Sequence, residues 1–178
     1  AAIPAVTPTP TMSAATPIPA MTSTVIPPII LTLPPPPLPV LPLDYTLPPV
    51  YGSISLSSGF VPDPSTMPLT AGGPANMNSA GSGGSGYTTS APTLSVNYSA
   101  GSYSLLRFFF IGGGDTTMVV NDPYGNFYCM DDSFGTLNPT IDFNSPASGR
   151  YDVWIGTYSS GGSIGGTLSV TETTGNHP

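Results

Sequence analysis

The chain has 178 residues, enough for one domain with a core plus an extension, yet only 6% of them are charged, against roughly 25% in an ordinary soluble domain. Arg107 and Arg150 are its whole Lys/Arg complement and the formal charge is −7, which argues against nucleic acid and anionic membrane surfaces as partners. Abundant Ser, Thr, Gly, Asn and Pro in place of charge suit an extracellular or cell-surface protein kept soluble by hydroxyls, amides and covalent glycans.

The opening "AAIPA" fits a mature terminus left by cleavage after small residues. Of 24 prolines, 15 lie in residues 1–50, whereas all 21 glycines lie beyond them. Three parts follow: an extended proline-rich arm over 1–49, a β-domain over 50–172, and a short tail over 173–178. Proline fixes φ, removes a donor and pushes its predecessor away from the helix, so the arm reads as polyproline II and extended coil. Its first half mixes Thr, Ser, Ala and Pro as glycosylated stalks do, with Thr7, Thr9, Thr11 and Thr16 as candidate acceptors.

The second half, "VIPPIILTLPPPPLPVLPLDYTLPPV", carries one charge, Asp44. Prolines interrupt it too often for a membrane span. A pure spacer has no use for its aliphatic residues, because each one left exposed forgoes roughly 1.5–3 kcal/mol of burial free energy. Ile29, Ile30, Leu31, Leu33, Leu38, Val40, Leu41 and Leu43 are therefore expected to pack on other copies of the chain.

From Tyr51 onward the pattern is all-β. "YGSISLS", "TLSVNYS", "TTMVVN", "GNFYCM", "TIDFN", "RYDVWIGTY" and "GTLSVTE" are short strands separated by Gly, Pro, Asn and Asp. "LLRFFFI" is a continuous apolar run, expected to be buried on both faces. "NDPYGN" predicts a turn between two strands. The expectation is an antiparallel, jelly-roll-like β-sandwich, with Leu94, Val96, Phe109, Val119, Ile141, Phe143, Val153, Ile155 and Leu168 in the core. Trp154 is expected in the core or between the sheets, and Tyr151 and Tyr158 at the surface as recognition candidates.

The segments "DTTMVVNDPYGNFYCMDDS" and "NSPASGRYDVWIGTY", with "YGSISLSSGFVPDP" and "SAPTLSVNYSAGSYSLLRFFF", resemble bacterial extracellular β-sandwich domains related to the pre-peptidase C-terminal domains of secreted peptidases. The resemblance spans residues 50–172 and does not touch the arm. It implies a non-catalytic accessory module, in a family with some calcium-binding members. It also implies a cysteine in the segment matching "GSGGSGYTTS", at the place Gly84 holds here, as partner for Cys129. That disulfide is therefore in doubt, and Cys129 reads by itself as a small buried residue.

Catalytic machinery is not expected. His177, the one histidine, is the penultimate residue, a poor position for a triad, and no metal-finger spacing, P-loop or dinucleotide fingerprint is present. "NYS" at Asn97–Ser99 matches a glycosylation acceptor pattern. Six of the nine acidic residues fall between Asp115 and Asp152. Asp115, Asp131 and Asp132 stand in loops that can meet at one end of a sandwich, where carboxylates suit a hard cation such as Ca2+; the competing role is turn capping. The leading functional expectation is a structural subunit of an extracellular filament. The alternatives are an accessory binding module of a secreted hydrolase and a glycosylated cell-surface stalk.

Overall fold

The computed structural model describes Ala2, residues 42–80 and residues 83–178. Thr7, Thr9, Thr11 and Thr16, and the arm positions Ile29, Ile30, Leu31, Leu33, Leu38, Val40 and Leu41, lie outside the described residues.

Eleven strands follow in order: β1 (Ser53–Ser57), β2 (Ser65–Ala71), β3 (Ala75–Asn76), β4 (Tyr87–Thr88), β5 (Leu94–Ser99), β6 (Leu105–Gly112), β7 (Thr116–Asn121), β8 (Phe127–Met130), β9 (Thr140–Asn144), β10 (Gly149–Thr157) and β11 (Ile164–Thr171), with one 3-10 turn at Met77–Ala80. They form a two-sheet sandwich. In the larger sheet β10 is central, with β7 and then β8 along one edge and β5–β1 and β4–β3 along the other. The smaller sheet runs β2-β11-β6-β9, antiparallel throughout. One pairing departs from the antiparallel expectation, since β1 lies parallel to β5. The chain leaves β1 for the opposite sheet at β2 and returns before β5, so the two strands run the same way.

The main core lies between the sheets, and strand alternation explains its membership. Leu94, Val96, Tyr151, Val153 and Ile155 project inward from the larger sheet to meet Leu106, Phe108, Phe110, Ile141, Phe143, Leu168 and Val170. All nine expected core residues are buried. Val119, however, belongs to a second cluster, and Phe109 alternates to the face of β6 away from Phe108 and Phe110.

That second cluster holds Trp154, a core residue as expected, though on the outer face of its sheet. Between inward-facing Val153 and Ile155, Trp154 points to the outer face of the larger sheet, where it is fully buried with Met77 and Val119 under Leu43, Phe127 and Cys129. Its Nε1 donates to the Ser90 carbonyl at 3.1 Å. Leu43 is thus held by its own sandwich, and hydrogen bonds from Asp44 N to Ser90 O, Val50 N to Pro92 O and Tyr51 N to Thr93 O fasten the neighbouring backbone. Apolar cover on both sides is why β7 is buried along its whole length. β6 is buried on both faces as its sequence predicts, with Arg107 on the outer side anchored by Asp142.

Tyr151 corrects a surface expectation. It sits inward among Phe108, Phe143 and Tyr98, and its hydroxyl donates to the Ala147 carbonyl. Burial pushes that hydroxyl's pKa up to about 12. Tyr158, just past the end of β10, is 51% exposed.

Candidate metal centre

The end of the sandwich where β6 turns into β7 is built from glycine. Gly112, Gly113 and Gly114 lead into Asp115. The turn is braced from across: Gly112 N donates to Asn138 Oδ1 at 2.8 Å and Thr116 N to the Leu137 carbonyl at 3.0 Å. The carbonyl of Asp115 accepts from Tyr158 N, so the backbone that carries its carboxylate is fixed.

Strand register brings the other two acids to the same place. β8 pairs antiparallel with β7, Met130 opposite Met118, and extending that register sets Asp131 level with Thr117 and Asp132 level with Thr116, beside Asp115. A tight turn follows, closed by Thr136 N and Thr136 Oγ1 on the Ser133 carbonyl, both at 2.9 Å. Phe134 and Gly135 take positive φ there, 53° and 73°. For Phe134 this is an uncommon conformation, held by the bridge between Ser133 and Thr136 and by Thr140 N donating to Ser133 Oγ.

One carboxylate oxygen from each of Asp115, Asp131 and Asp132 lies within 4.8 Å of the others. The sequence grouped these three, and the fold brings them together. Asp115 and Asp131 are half-buried and Asp132 is exposed. Oδ1 of Asp115 and Oδ1 of Asp131 are buried without a hydrogen-bond partner. Burial, and then the charge of Asp132, push the Asp115 carboxyl above the usual range; burial, then Asp132 and Asp115, do the same to Asp131. Neither arginine relieves them, because Arg107 pairs with Asp142 and Arg150 with Asp152.

The donor set fits a hard divalent cation. All three residues offer carboxylate oxygens, Asp115 and Asp131 each carry one buried oxygen without a partner, and clustered negative charge is what Ca2+ uses. Thiolate or imidazole, which softer metals prefer, is absent from the cluster.

Asn138, Ser133 and Thr140, which position this end, were not singled out from the sequence. The dipeptide Asn138–Pro139 was the available signal, as a turn former next to a strand. Elsewhere, Asn97 is exposed on β5, and His177 stacks on Phe134 with ring centroids 4.2 Å apart and an interplanar angle of 9°. Gly84 lies directly against Cys129: a Cβ built on it would come 2.5 Å from Cys129 Sγ. The two positions are neighbours, and only one carries sulfur. Among the described residues, no helix is long and apolar enough to cross a membrane.

No family model matches this chain, and no curated protein matches it. Among solved structures it is similar to the pre-peptidase C-terminal domain of a collagenase from Bacillus anthracis, at 14% identity and a TM-score of 0.39, over 67% of this chain and 90% of that one. It is also similar to PliG of Aeromonas hydrophila, a periplasmic lysozyme inhibitor of g-type lysozyme, at 14% identity and a TM-score of 0.29, over 67% of this chain and 96% of that one. The resemblance to the pre-peptidase C-terminal domain is a distant one.

Proposed function

We propose that the chain is a structural, non-catalytic subunit of an extracellular filament, joined to neighbouring copies by its proline-rich arm and braced by calcium at one end of its sandwich. The arm's composition carries this reading. Residues 25–41 hold nine aliphatic side chains, seven prolines and one threonine, with no charge at all. Such a segment gains by burial, and its prolines keep it extended beforehand, so docking costs less chain entropy than for a flexible peptide. Head-to-tail contacts of this kind build fibres when they do not close into a ring. Sedimentation velocity and electron microscopy of the full chain test it: the wild type should form elongated assemblies, and replacing Ile29, Ile30, Leu31 and Leu33 by Ser should leave monomers. A wild type that stays monomeric at all concentrations sinks the reading.

The calcium component is supported by the two orphaned carboxylate oxygens. A bound cation would satisfy both, offset the repulsion among three carboxylates and tie the β6–β7 turn to the end of β8. Titration calorimetry with Ca2+, repeated on Asp131→Asn with Asp132→Asn, is the direct check.

A second reading, an accessory binding module of a secreted hydrolase, is favoured by Tyr124, 78% exposed at the tip of the β7–β8 turn. Aromatic side chains presented this way offer contact area at low entropic cost. It takes over if self-association is absent. Intact-mass measurement decides whether glycans on Thr7, Thr9, Thr11 or Thr16 make the arm a stalk instead.

A further inference from the structure

Along one side the two sheets end in strands with a single neighbour each, β8 beside β7 and β9 beside β6. Between them lies a groove of about 520 Å3, lined by Tyr128, Met130, Phe134, Thr140, Ile141 and Asp142 among others. Its rim is apolar and open to solvent, with Tyr128 41%, Met130 43% and Phe134 55% exposed. Asp142 brings no free charge, because both of its oxygens are held by Arg107 at 2.6 and 2.7 Å. Thr140 is 6% exposed, yet its Oγ1 has no partner. A buried hydroxyl is ordinarily hydrogen-bonded, so this one calls for an acceptor from outside.

We propose that this groove receives residues 25–41 of a second copy, each chain donating one arm and accepting one. The inference rests on the self-association reading above and names the surface it uses. Three observations select the occupant. The segment is uncharged and aliphatic, matching a neutral apolar groove with aromatic walls, the kind that accepts proline-rich strands. A proline-rich strand also offers carbonyls and few N–H groups, and the orphan on the groove wall is a hydroxyl donor.

The third observation is where the arm enters the sandwich. Leu43 packs with Phe127 and Cys129, two residues that also line the groove. Leu43, which follows the arm segment in the chain, therefore sits beside β8. In the sequence Pro39 and Pro42 flank Val40 and Leu41, and a proline disfavours the helical region for the residue before it. A sequence this rich in proline resists the tight reversal that docking into its own groove would need, which favours a neighbouring copy as host.

The experiment uses three full-length chains: wild type, an arm variant (Ile29, Ile30, Leu31 and Leu33 to Ser) and a groove variant, Met130→Arg. Sedimentation velocity should find the wild type assembled and both variants monomeric. An equal mixture of the two variants should give heterodimers and nothing larger, because the arm variant keeps an open groove and the groove variant keeps an intact arm. A second groove change, Thr140→Val, should weaken assembly several-fold while leaving the thermal melt of the sandwich unchanged or higher, which a merely structural role for that hydroxyl would not do. If the wild type is monomeric, the self-association reading falls and this inference with it. If the wild type assembles and Met130→Arg assembles equally well, or the mixture gives no heterodimer, the groove is not the acceptor and self-association stands without it.

Discussion

Strand β8 has aspartates at both ends, and their surroundings are opposite. At its start, Asp122 closes the β7–β8 turn: Oδ1 accepts from Tyr124 N at 2.8 Å and Asn126 N at 2.9 Å, and Oδ2 accepts from the Tyr128 hydroxyl at 3.1 Å. Burial pushes that carboxyl up, but the bonds from Asn126, Tyr124 and Tyr128 outweigh it and hold the pKa below the ordinary value. At the strand's far end, Asp131 meets Asp115 and Asp132 and has a buried oxygen with no donor. A turn-capping aspartate is explained by its donors. An aspartate facing other aspartates has no such donors to explain it.

The largest expected effect of breaking this contrast is at the far end. Ca2+ at 100 times its dissociation constant should stabilise the fold by about 2.7 kcal/mol, which raises Tm by about 10 °C in a domain of this size. Chelator should remove the shift, and Asp131→Asn with Asp132→Asn should abolish the response. Differential scanning calorimetry decides it, and an identical melt with and without Ca2+ would return the cluster to ordinary surface acidity.

At the near end, Asp122→Ala should cost about 2 kcal/mol, the worth of hydrogen bonds to a charged acceptor. The loss should be the same in Ca2+ and in chelator when read from urea midpoints. A calcium-dependent cost would mean that the two ends of β8 are coupled.

The single change Asp131→Asn should have a sign that depends on conditions. In chelator it removes like-charge repulsion and should stabilise by ~0.5 kcal/mol. In saturating Ca2+ it removes a ligand and should destabilise. Destabilisation in both would mean that the carboxylate already has a partner in the metal-free state.

The smallest effect is the pH slope. Asp115 and Asp131 have folded pKa values above the unfolded carboxylate, which titrates near ~3.9. In chelator their contribution to stability is therefore fully present below that value and lost as pH rises through the folded pKa values. Asp122 runs the other way: its contribution is present above the unfolded value and lost as pH falls through its depressed folded one. Urea midpoints measured from pH 3 to 7 should give difference curves of opposite slope for Asp131→Asn and Asp122→Ala. Protons should also compete with Ca2+ as pH falls through the raised values, weakening the metal.

Local periodicity made much of this legible. The run at β6 has no polar face, and it is buried on both sides; the alternation in β10 separates Val153 and Ile155 from Trp154. The same alternation puts Tyr151 on the face of Val153 and Ile155, and it lies in the core with them; only its place near the start of the strand argued for the surface. Trp154 is buried by Met77 and Leu43, 77 and 111 positions earlier in the chain, and no window of sequence contains such a contact. The parallel β1–β5 pair was hidden for the same reason, because direction is set by the excursion through β2. The three acids could be grouped because each sits just outside a strand end. Their supports, Asn138 and Ser133, could not, because their importance lies in which backbone groups they reach across the loop.

The contact between Gly84 and Cys129 has a kinetic side. The chain around Met77 and Gly84 covers Trp154 on the outer face of the sheet, apart from the main core between the sheets. Such a cover can open locally at less cost than global unfolding. Cys129 beside it is half-buried rather than enclosed, and the rate at which a thiol reagent reaches its sulfur in native protein should rise with those openings. Gly84→Cys would suppress them by stapling the cover down, closing a loop of about 45 residues and stabilising by up to about 4 kcal/mol in the chain-entropy picture.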